Sequence, residues 1–128
     1  MTLHIVRLSS PRLKGEGTRI GAVRHLPRGV KKERYAADDW FDVWYPELSP
    51  SAPLVKRALG AKTEKEWSAF VRSFRAEMKT SVAQHTLQLL ATLSQDSDFS
   101  IGCYCEDESR CHRSVLRVLL KEHGAKIA

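Results

Sequence analysis

The sequence lacks any long hydrophobic run, and its apolar stretches extend over only a few residues. A helix that spans a membrane needs about 20 consecutive, mainly apolar residues, so the sequence contains no candidate for one. The first ten residues, MTLHIVRLSS, also lack the apolar core of a signal peptide. We therefore expect a cytoplasmic protein with no membrane partner.

Cysteine is scarce: there are 3 cysteines, and all of them lie between residues 103 and 111. A secreted disulfide scaffold carries an even number of cysteines spread along the chain. This odd, crowded set instead predicts reduced thiols. Internal repeats and low-complexity tracts are absent as well. A length of 128 residues with 42% hydrophobic and 28% charged residues is typical of one globular domain, over 1–128.

The net charge of +6 is distributed unevenly along the chain. Residues 1–34 carry nine Lys or Arg and two Glu, whereas residues 35–50 carry four acids and no base. A basic N-terminal third favours partners that bear phosphate, including nucleic acid. A generic solvated basic surface is the alternative interpretation.

Short apolar segments alternate with helical patterns. A T-x-x-E capping box at Thr63 and Glu66 begins the clearest helix, whose apolar stripe is Trp67, Phe70, Val71, Phe74 and Met78. The predicted strands are 3–8, 18–26 and 98–105, with the AKIA tail as a further short strand. The other predicted helices are 51–60, 82–95 and 111–124, and one helical turn is expected to hold Trp40 and Trp44 on the core side.

This alternation predicts an α/β fold, a small layered domain with a mainly parallel sheet flanked by helices. Ligands in such folds collect at the carboxyl ends of the strands. Residues 104–112 form the turn that leaves the last predicted strand and enters the last helix. The densest chemistry of the chain therefore lies where a ligand is expected.

The C-x-C-x5-C-H pattern of Cys103, Cys105, Cys111 and His112 offers four donors suited to tetrahedral zinc. Structural zinc sites prefer cysteines two to four residues apart in two pairs, which this spacing does not reproduce. Zinc is thus an alternative rather than the favoured interpretation, and no cofactor is predicted. Simple packing is favoured for Cys103, because free cysteine is among the most buried residue types.

A catalytic thiol is a second interpretation of the same cluster. A thiol beside Arg110, Arg113 or a helix start has a lowered pKa and more thiolate. The Cys105-x4-Arg110 spacing is similar to the active-site loop of sulfurtransferases, whereas neither Cys103 nor Cys105 has the C-x5-R spacing of cysteine phosphatases. The acids at 106–108 oppose this interpretation, since they disfavour both a thiolate and a bound anion.

Anion binding is the third interpretation. The free N–H groups at the start of the last helix favour a negative ligand, and Arg113 adds a planar fork that matches phosphate or carboxylate. Ser114 and His112 supply further donors. Arg28, from the turn LPRG, joins them if the two strand ends are neighbours. The alternative for Arg113 is a surface ion pair with the neighbouring acids.

The stretch CYCEDESRCHRSVL resembles the C-terminal motif of a bacterial family called domain of unknown function 488. In that family a cysteine is followed after seven residues by Cys-His-Arg-Ser, which here corresponds to Cys103 and residues 111–114. The stretch VRHLPRGVKKERYAADDWFDVWYPELSPS resembles an earlier block of the same family. Its matching positions are Arg24, Pro27, Arg28, Gly29, Trp44, Leu48, Pro50 and Ser51.

The resemblance implies a compact α/β domain of Rossmann-like layout, without an established reaction. Two positions depart from the family pattern. Cys105 stands where the family usually has an acid, and Val23 stands where an acid often precedes the arginine of the second strand. If those acids are catalytic in the family, this protein has lost or altered that role.

From these residues we expect a polar pocket at the strand ends, lined by Arg24, Arg28, His112 and Arg113, with Ser114 as a further donor. The expected partner is an anionic small molecule or a nucleotide, and His112 is the candidate general acid or base. Whether the protein is an enzyme stays open at this point. The alternatives are a non-catalytic nucleic-acid-binding module and a small zinc-binding domain.

Overall fold

The structure is a computed structural model that describes residues 1–128. Four parallel strands form one sheet in the order β1-β4-β2-β3. The strands are β1 (Leu3–Arg7), β2 (Thr18–Gly21), β3 (Val43–Trp44) and β4 (Phe99–Cys103). The helices are α1 (Ala52–Gly60), α2 (Glu64–Glu77), α3 (Ser81–Leu93) and α4 (His112–Glu122). This architecture confirms the predicted small α/β layered fold.

Strand β4 lies between β1 and β2, and all five of its residues are buried. The register aligns Ile5, Ile101 and Ile20 across the sheet. Because successive side chains alternate between the two faces, these isoleucines share the face on which the helices pack. Residues of all four helices join one hydrophobic core with Ile101.

Helix α2 begins as its capping box predicts: Thr63 Oγ1 accepts a hydrogen bond from the Glu66 backbone N–H at 3.1 Å. Trp67, Phe70 and Phe74 of the predicted stripe are buried in the core. The hydrophobic periodicity of this segment therefore identified both the helix and its inward face correctly.

The opposite face of the sheet has a different cover. It carries Arg19 and Ser100, and the chain segments 8–17 and 35–42 pack over it in place of helices. A smaller apolar cluster of Leu8, Val23, Phe41, Cys103 and Cys111 lies at the carboxyl end of the strands. This cluster links the cysteines to the segments that cover the sheet.

The predicted strand 18–26 is shorter in the structure and ends at Gly21. Its neighbour β4 pairs Gly102 with Gly21 and ends one residue later, so residues after Ala22 have no strand to pair with. The isolated bridge between Leu3 and Ile127 supports the predicted last short strand, although only one residue pair forms it.

The prediction that Trp40 and Trp44 share a helical turn is wrong. Trp44 lies in the two-residue strand β3, because Tyr45 N–H donates to Gly21 O at 2.9 Å and holds the segment extended beside β2. The Trp44 indole N–H donates to Val23 O at 2.8 Å, while its side chain stays largely exposed. Trp40 is half-buried elsewhere on the surface of the sheet.

The longest helix, α2, has 14 residues. None of the four helices combines the length and hydrophobicity needed to cross a bilayer.

Candidate functional site

A cavity of about 570 Å³ opens at the carboxyl ends of β1, β2 and β4. Arg7 is the last residue of β1, and Tyr104 directly follows β4. His25 and Arg28 come from the turn after β2. Trp40 completes the wall. We call this space the arginine cavity. It lies at the strand edge where open parallel sheets bind their ligands.

The arginine cavity has an excess of positive charge. Arg28 makes no hydrogen bond or ion pair, so its guanidinium is free to meet a ligand. Arg7 Nε donates to Tyr104 O at 3.3 Å, and its Nη1 lies 3.8 Å from a carboxylate oxygen of the exposed Glu106. An ion pair of that length in solvent is weak. Arg7 therefore keeps most of its capacity to attract an anion.

Two aromatic rings border the same cavity. The Trp40 and Tyr104 rings meet edge to face, with centroids 5.7 Å apart and planes at 78°. The Tyr104 hydroxyl donates to His25 O at 2.7 Å, which fixes the ring against the turn after β2. The cavity thus combines cationic groups with a fixed aromatic wall.

A second cavity, of about 280 Å³, shares Tyr104 and His25 with the first. We call it the cysteine cavity, because Cys103, Cys105 and Cys111 line it. Its other walls are largely apolar and come from the turn after β2 and from α1. The two cavities are therefore neighbours with different chemistry.

The cysteine cluster is compact. The Sγ atoms of Cys103 and Cys105 are 4.0 Å apart, and Cys111 Sγ lies 3.9 Å from His112 Nδ1. The ligating atoms of Cys103, Cys111 and His112 all lie within 4.8 Å of one another. All three cysteines are free thiols. This group has the donors and the spacing to hold a metal ion.

His112 is locked in one orientation. Its Nε2 lies 2.6 Å from Ala22 O, and since a carbonyl can only accept, Nε2 carries the proton. The ring also meets Phe74 edge to face, at 5.9 Å and 89°. The nitrogen that remains available is Nδ1, on the side of Cys111.

The three thiols have divergent proton affinities. Hydrogen bonds from Cys103 and Cys105 hold the pKa of Cys111 well below the usual range for a thiol, and His112 adds to this effect against the opposing effect of burial. Hydrogen bonding to Cys105 and Cys111, followed by burial, raises the pKa of Cys103. These opposite shifts make Cys111 the more acidic thiol of the pair and Cys103 the less acidic one.

The side chains of Arg113 and Ser114 bind the loop 104–111 and do not line an open pocket. Arg113 is 3% exposed; its Nη2 donates to Cys105 O at 2.6 Å and its Nε to Cys111 Sγ at 3.4 Å. Ser114 Oγ donates to Cys111 O at 2.8 Å. Helix α4 begins here, with Cys111 as its N-cap. The loop is thus fastened to the helix start by side chains of the helix itself.

The structure does not bring Arg28 and Arg113 into one cavity. Arg28 lines the arginine cavity, while Arg24 and His112 line the cysteine cavity. Arg113 lines neither cavity, because its guanidinium folds back onto Cys105 O. Arg24 donates to Pro50 O and Ser49 O, each at 3.0 Å. The expected single pocket is therefore divided in two.

Arg110 lines the cysteine cavity, but its guanidinium already has partners in the protein. It forms an ion pair with Glu64 and lies over the Trp67 ring, 5.7 Å from the centroid. The loop acids are also engaged, since Glu108 receives two hydrogen bonds from Arg117 at 2.7 and 3.0 Å. These contacts attach the loop to α2 and α4.

A model of the family DUF488-N3a, described as the active DUF488-N3 subclade, matches residues 3–124. This chain belongs to the DUF488 family. The match covers nearly the whole sequence, and it confirms the resemblance that the Cys-His-Arg-Ser motif carries. A search of curated proteins and a search of solved structures give no match.

Four residues of the arginine cavity in this DUF488 protein escaped the sequence analysis: Arg7, His25, Trp40 and Tyr104. Arg7 and Tyr104 could have been found, because each stands at the carboxyl end of a predicted strand. The sequence did not indicate that Trp40 would line the cavity, since its position depends on how the segment 35–42 folds over the sheet.

Three of the nine basic side chains in the N-terminal third of the DUF488 chain form ion pairs with acids of residues 1–50. Arg19 pairs with Glu16, Arg12 pairs with Asp42, and Arg34 pairs with Asp38. The acidic segment 35–50 thus folds back onto the basic one. Of the basic side chains without an ion pair, Arg28 lines the arginine cavity and Arg24 lines the cysteine cavity.

Proposed function

We propose that this DUF488 protein binds an anionic small molecule that bears phosphate, with a nucleotide as the preferred ligand, in the arginine cavity. The observation that carries the proposal is Arg28, which has no protein partner and shares the cavity with Arg7 and His25. A guanidinium offers a planar fork of donors that matches phosphate oxygens. Two such groups at the carboxyl edge of a parallel sheet form a site for a dianion.

The size and the walls of the cavity favour a ligand larger than free phosphate. A volume of about 570 Å³ is within the range of small-molecule sites. Trp40 and Tyr104 supply aromatic surface beside the arginines. Aromatic side chains stack on nucleobases of every kind. A nucleotide contacts both parts of the cavity, with its phosphate bound to the arginines and its base packed on the aromatic wall.

A small ligand is favoured over a nucleic-acid strand. Nucleic-acid binding modules present a stripe of free Lys and Arg along one surface. Here carboxylates pair with Arg12, Arg19 and Arg34, which lowers the free charge available to such a stripe. Arg7 and Arg28 instead line a bounded cavity, which suits a compact anion.

If the protein acts on the ligand, its proton-transfer group belongs in the arginine cavity. His25 is the imidazole that lines this cavity, together with Arg28. The role of His112 as a general acid or base stays a prediction. Its free Nδ1 is near Cys111, so it would act in the cysteine cavity instead.

Calorimetric titration with AMP and with inorganic pyrophosphate tests the proposal. We expect Arg28→Gln to weaken the binding of both by about 10-fold or more, as for the loss of one charge-assisted contact. Arg72→Gln is the matched control: it removes the same charge from the exposed surface of α2, outside the arginine cavity, and should leave both affinities unchanged. Equal losses in the two variants, or salt-dependent binding of generic DNA with no binding of AMP, would contradict it.

A further inference from the structure

We propose that Cys103, Cys105, Cys111 and His112 together bind one soft divalent cation, with Zn²⁺ as the ion that fits best. None of the four residues belongs to the arginine cavity. The site is therefore a second one, and it does not depend on a ligand in the first.

The distances between the donor atoms suit a tetrahedral ion. Bonds of about 2.3 Å to sulfur and about 2.0 Å to nitrogen place tetrahedral sulfurs about 3.8 Å apart and a sulfur and nitrogen about 3.6 Å apart. The observed separations are 4.0 Å for Cys103 Sγ and Cys105 Sγ, and 3.9 Å for Cys111 Sγ and His112 Nδ1. The ligating atoms of Cys103, Cys111 and His112 lie within 4.8 Å of one another, and Cys105 Sγ, outside that group, must move towards Cys111 and His112 to complete the coordination.

The orientation of His112 is the one that a metal ligand needs. A ligating histidine usually donates its other ring N–H to a carboxylate or a backbone carbonyl, which fixes the ring and its tautomer. His112 Nε2 donates in this way to Ala22 O at 2.6 Å. Its lone pair at Nδ1 is thereby directed to the side of Cys111, where the ion would lie.

The charge of Arg113 is a second, independent indication. This guanidinium is 3% exposed, yet no carboxylate pairs with it; its partners are Cys111 Sγ and Cys105 O. A buried cation without a counter-charge is costly. Three thiolates around Zn²⁺ carry one net negative charge, which supplies the missing partner to Arg113.

Chemical softness selects the class of ion. Thiolate and imidazole together favour zinc over magnesium, calcium or manganese, which prefer oxygen. On binding, the protonated thiols release their protons to solvent, and neither the protein nor the ion changes oxidation state. The ion would tie the end of β4 to the start of α4 across the loop 104–111. Cys105, the half-buried thiol, is the ligand on the open side.

Metal analysis of the full chain is the first test. We expect about one equivalent of zinc per chain in protein purified without chelator, or after titration of the metal-free protein with Zn²⁺. Cobalt substitution should give the intense near-ultraviolet absorption of thiolate bound to Co²⁺. Zn²⁺ should also protect the three cysteines from alkylation.

Variants separate the roles of the ligands. Cys111→Ser should abolish binding of Zn²⁺, whereas Cys105→Ser should weaken it by about 10-fold or more and leave a three-ligand site. Ser109→Ala, in the same loop and outside the ligand set, is the matched control and should bind as tightly as the natural chain. Arg28→Gln should also bind the metal normally, which separates this test from that of the arginine cavity.

The proposal is overturned by any of three results on the natural chain, which needs no variant to fold. These are less than about half an equivalent of bound zinc after titration, a Co²⁺ spectrum without thiolate absorption, or alkylation at the same rate with and without Zn²⁺. The last result would mean that the ion does not bind through these thiols.

Discussion

The guanidinium of Arg19 and the carboxylate of Glu16 form a two-point ion pair inside the protein, with Nε 2.7 Å from Oε2 and Nη2 2.8 Å from Oε1. Both side chains are almost completely shielded from solvent. Arg19 Nη1 also donates to Ser10 O and Asp39 O, and the carboxylate accepts from Ser100 Oγ at 3.0 Å. This pair therefore fastens the segments that hold Ser9 and Trp40 to the centre of the sheet.

Glu16→Gln should destabilise the fold strongly. The substitution leaves the charge of Arg19 buried without its counter-charge, for which we expect a loss of about 3–5 kcal/mol in the free energy of unfolding. Urea denaturation measures that loss. Glu33→Gln, on an exposed 3-10 turn, removes the same charge at the surface and serves as the control. A loss below about 1 kcal/mol in Glu16→Gln would mean that the pair contributes no more than a surface ion pair.

The stability of the fold should fall in acid through the same carboxylate. Burial raises the pKa of Glu16, but the hydrogen bonds from Arg19, the Leu13 N–H and Ser100 outweigh it, so the folded pKa lies below the ordinary value of 4.5. A group with a depressed folded pKa stabilises the protein fully above its unfolded pKa and loses that effect as pH falls through the folded pKa.

Urea denaturation between about pH 6 and pH 3 tests this dependence. The unfolding free energy should start to decline near pH 4.5, the ordinary pKa of Glu, and continue downward. Asp42 should add to the decline, because the hydrogen bond from Arg12 lowers its pKa although burial raises it. Glu16→Gln should show a shallower decline than the natural chain. Identical slopes would assign the acid sensitivity to other carboxylates.

Local patterns predicted the helices well. The capping box of Thr63 and the apolar spacing after it depend on neighbours within a few turns, which a sequence displays directly. The end of β2 could not be predicted in that way. It is set by β4, about 80 residues further along the chain, whose pairing with β2 stops at Gly102. The extended state of Trp44 likewise depends on its pairing with Gly21.

The same contrast between local patterns and long-range contacts applies to the candidate site. The Cys-His-Arg motif predicted a cluster at the strand end, and the structure confirms that Cys103, Cys111 and His112 lie together. The sequence gives no information on side-chain direction. Arg113 turns towards Cys105 O rather than towards Arg28, and only the folded loop decides this. Arg113 therefore lines neither cavity, and the sequence could not show this.

Gly17→Ala should be far more destabilising than Gly15→Ala. Both glycines have positive φ, +72° and +77°, and left-handed backbone costs a non-glycine residue about 1–2 kcal/mol. A Cβ at Gly17 would also lie 1.9 Å from Asp98 O, whereas nothing lies near one at Gly15. Gly15→Ala thus measures backbone strain alone. If thermal unfolding shows equal losses for the two variants, the close approach of Gly17 to the residue before β4 does not matter.

Trp40→Leu should separate the two halves of the arginine cavity. If the indole stacks on a base, its loss should weaken AMP binding by about 1–3 kcal/mol, or roughly 5- to 150-fold, because that is the usual contribution of one base–aromatic contact. Pyrophosphate has no base, so its affinity should stay the same and provide the control within one variant. Arg28→Gln should weaken both ligands. A Trp40→Leu variant that loses both to the same extent would place the indole in the packing of the cavity wall against Tyr104, and the nucleotide preference would then fail while anion binding stands.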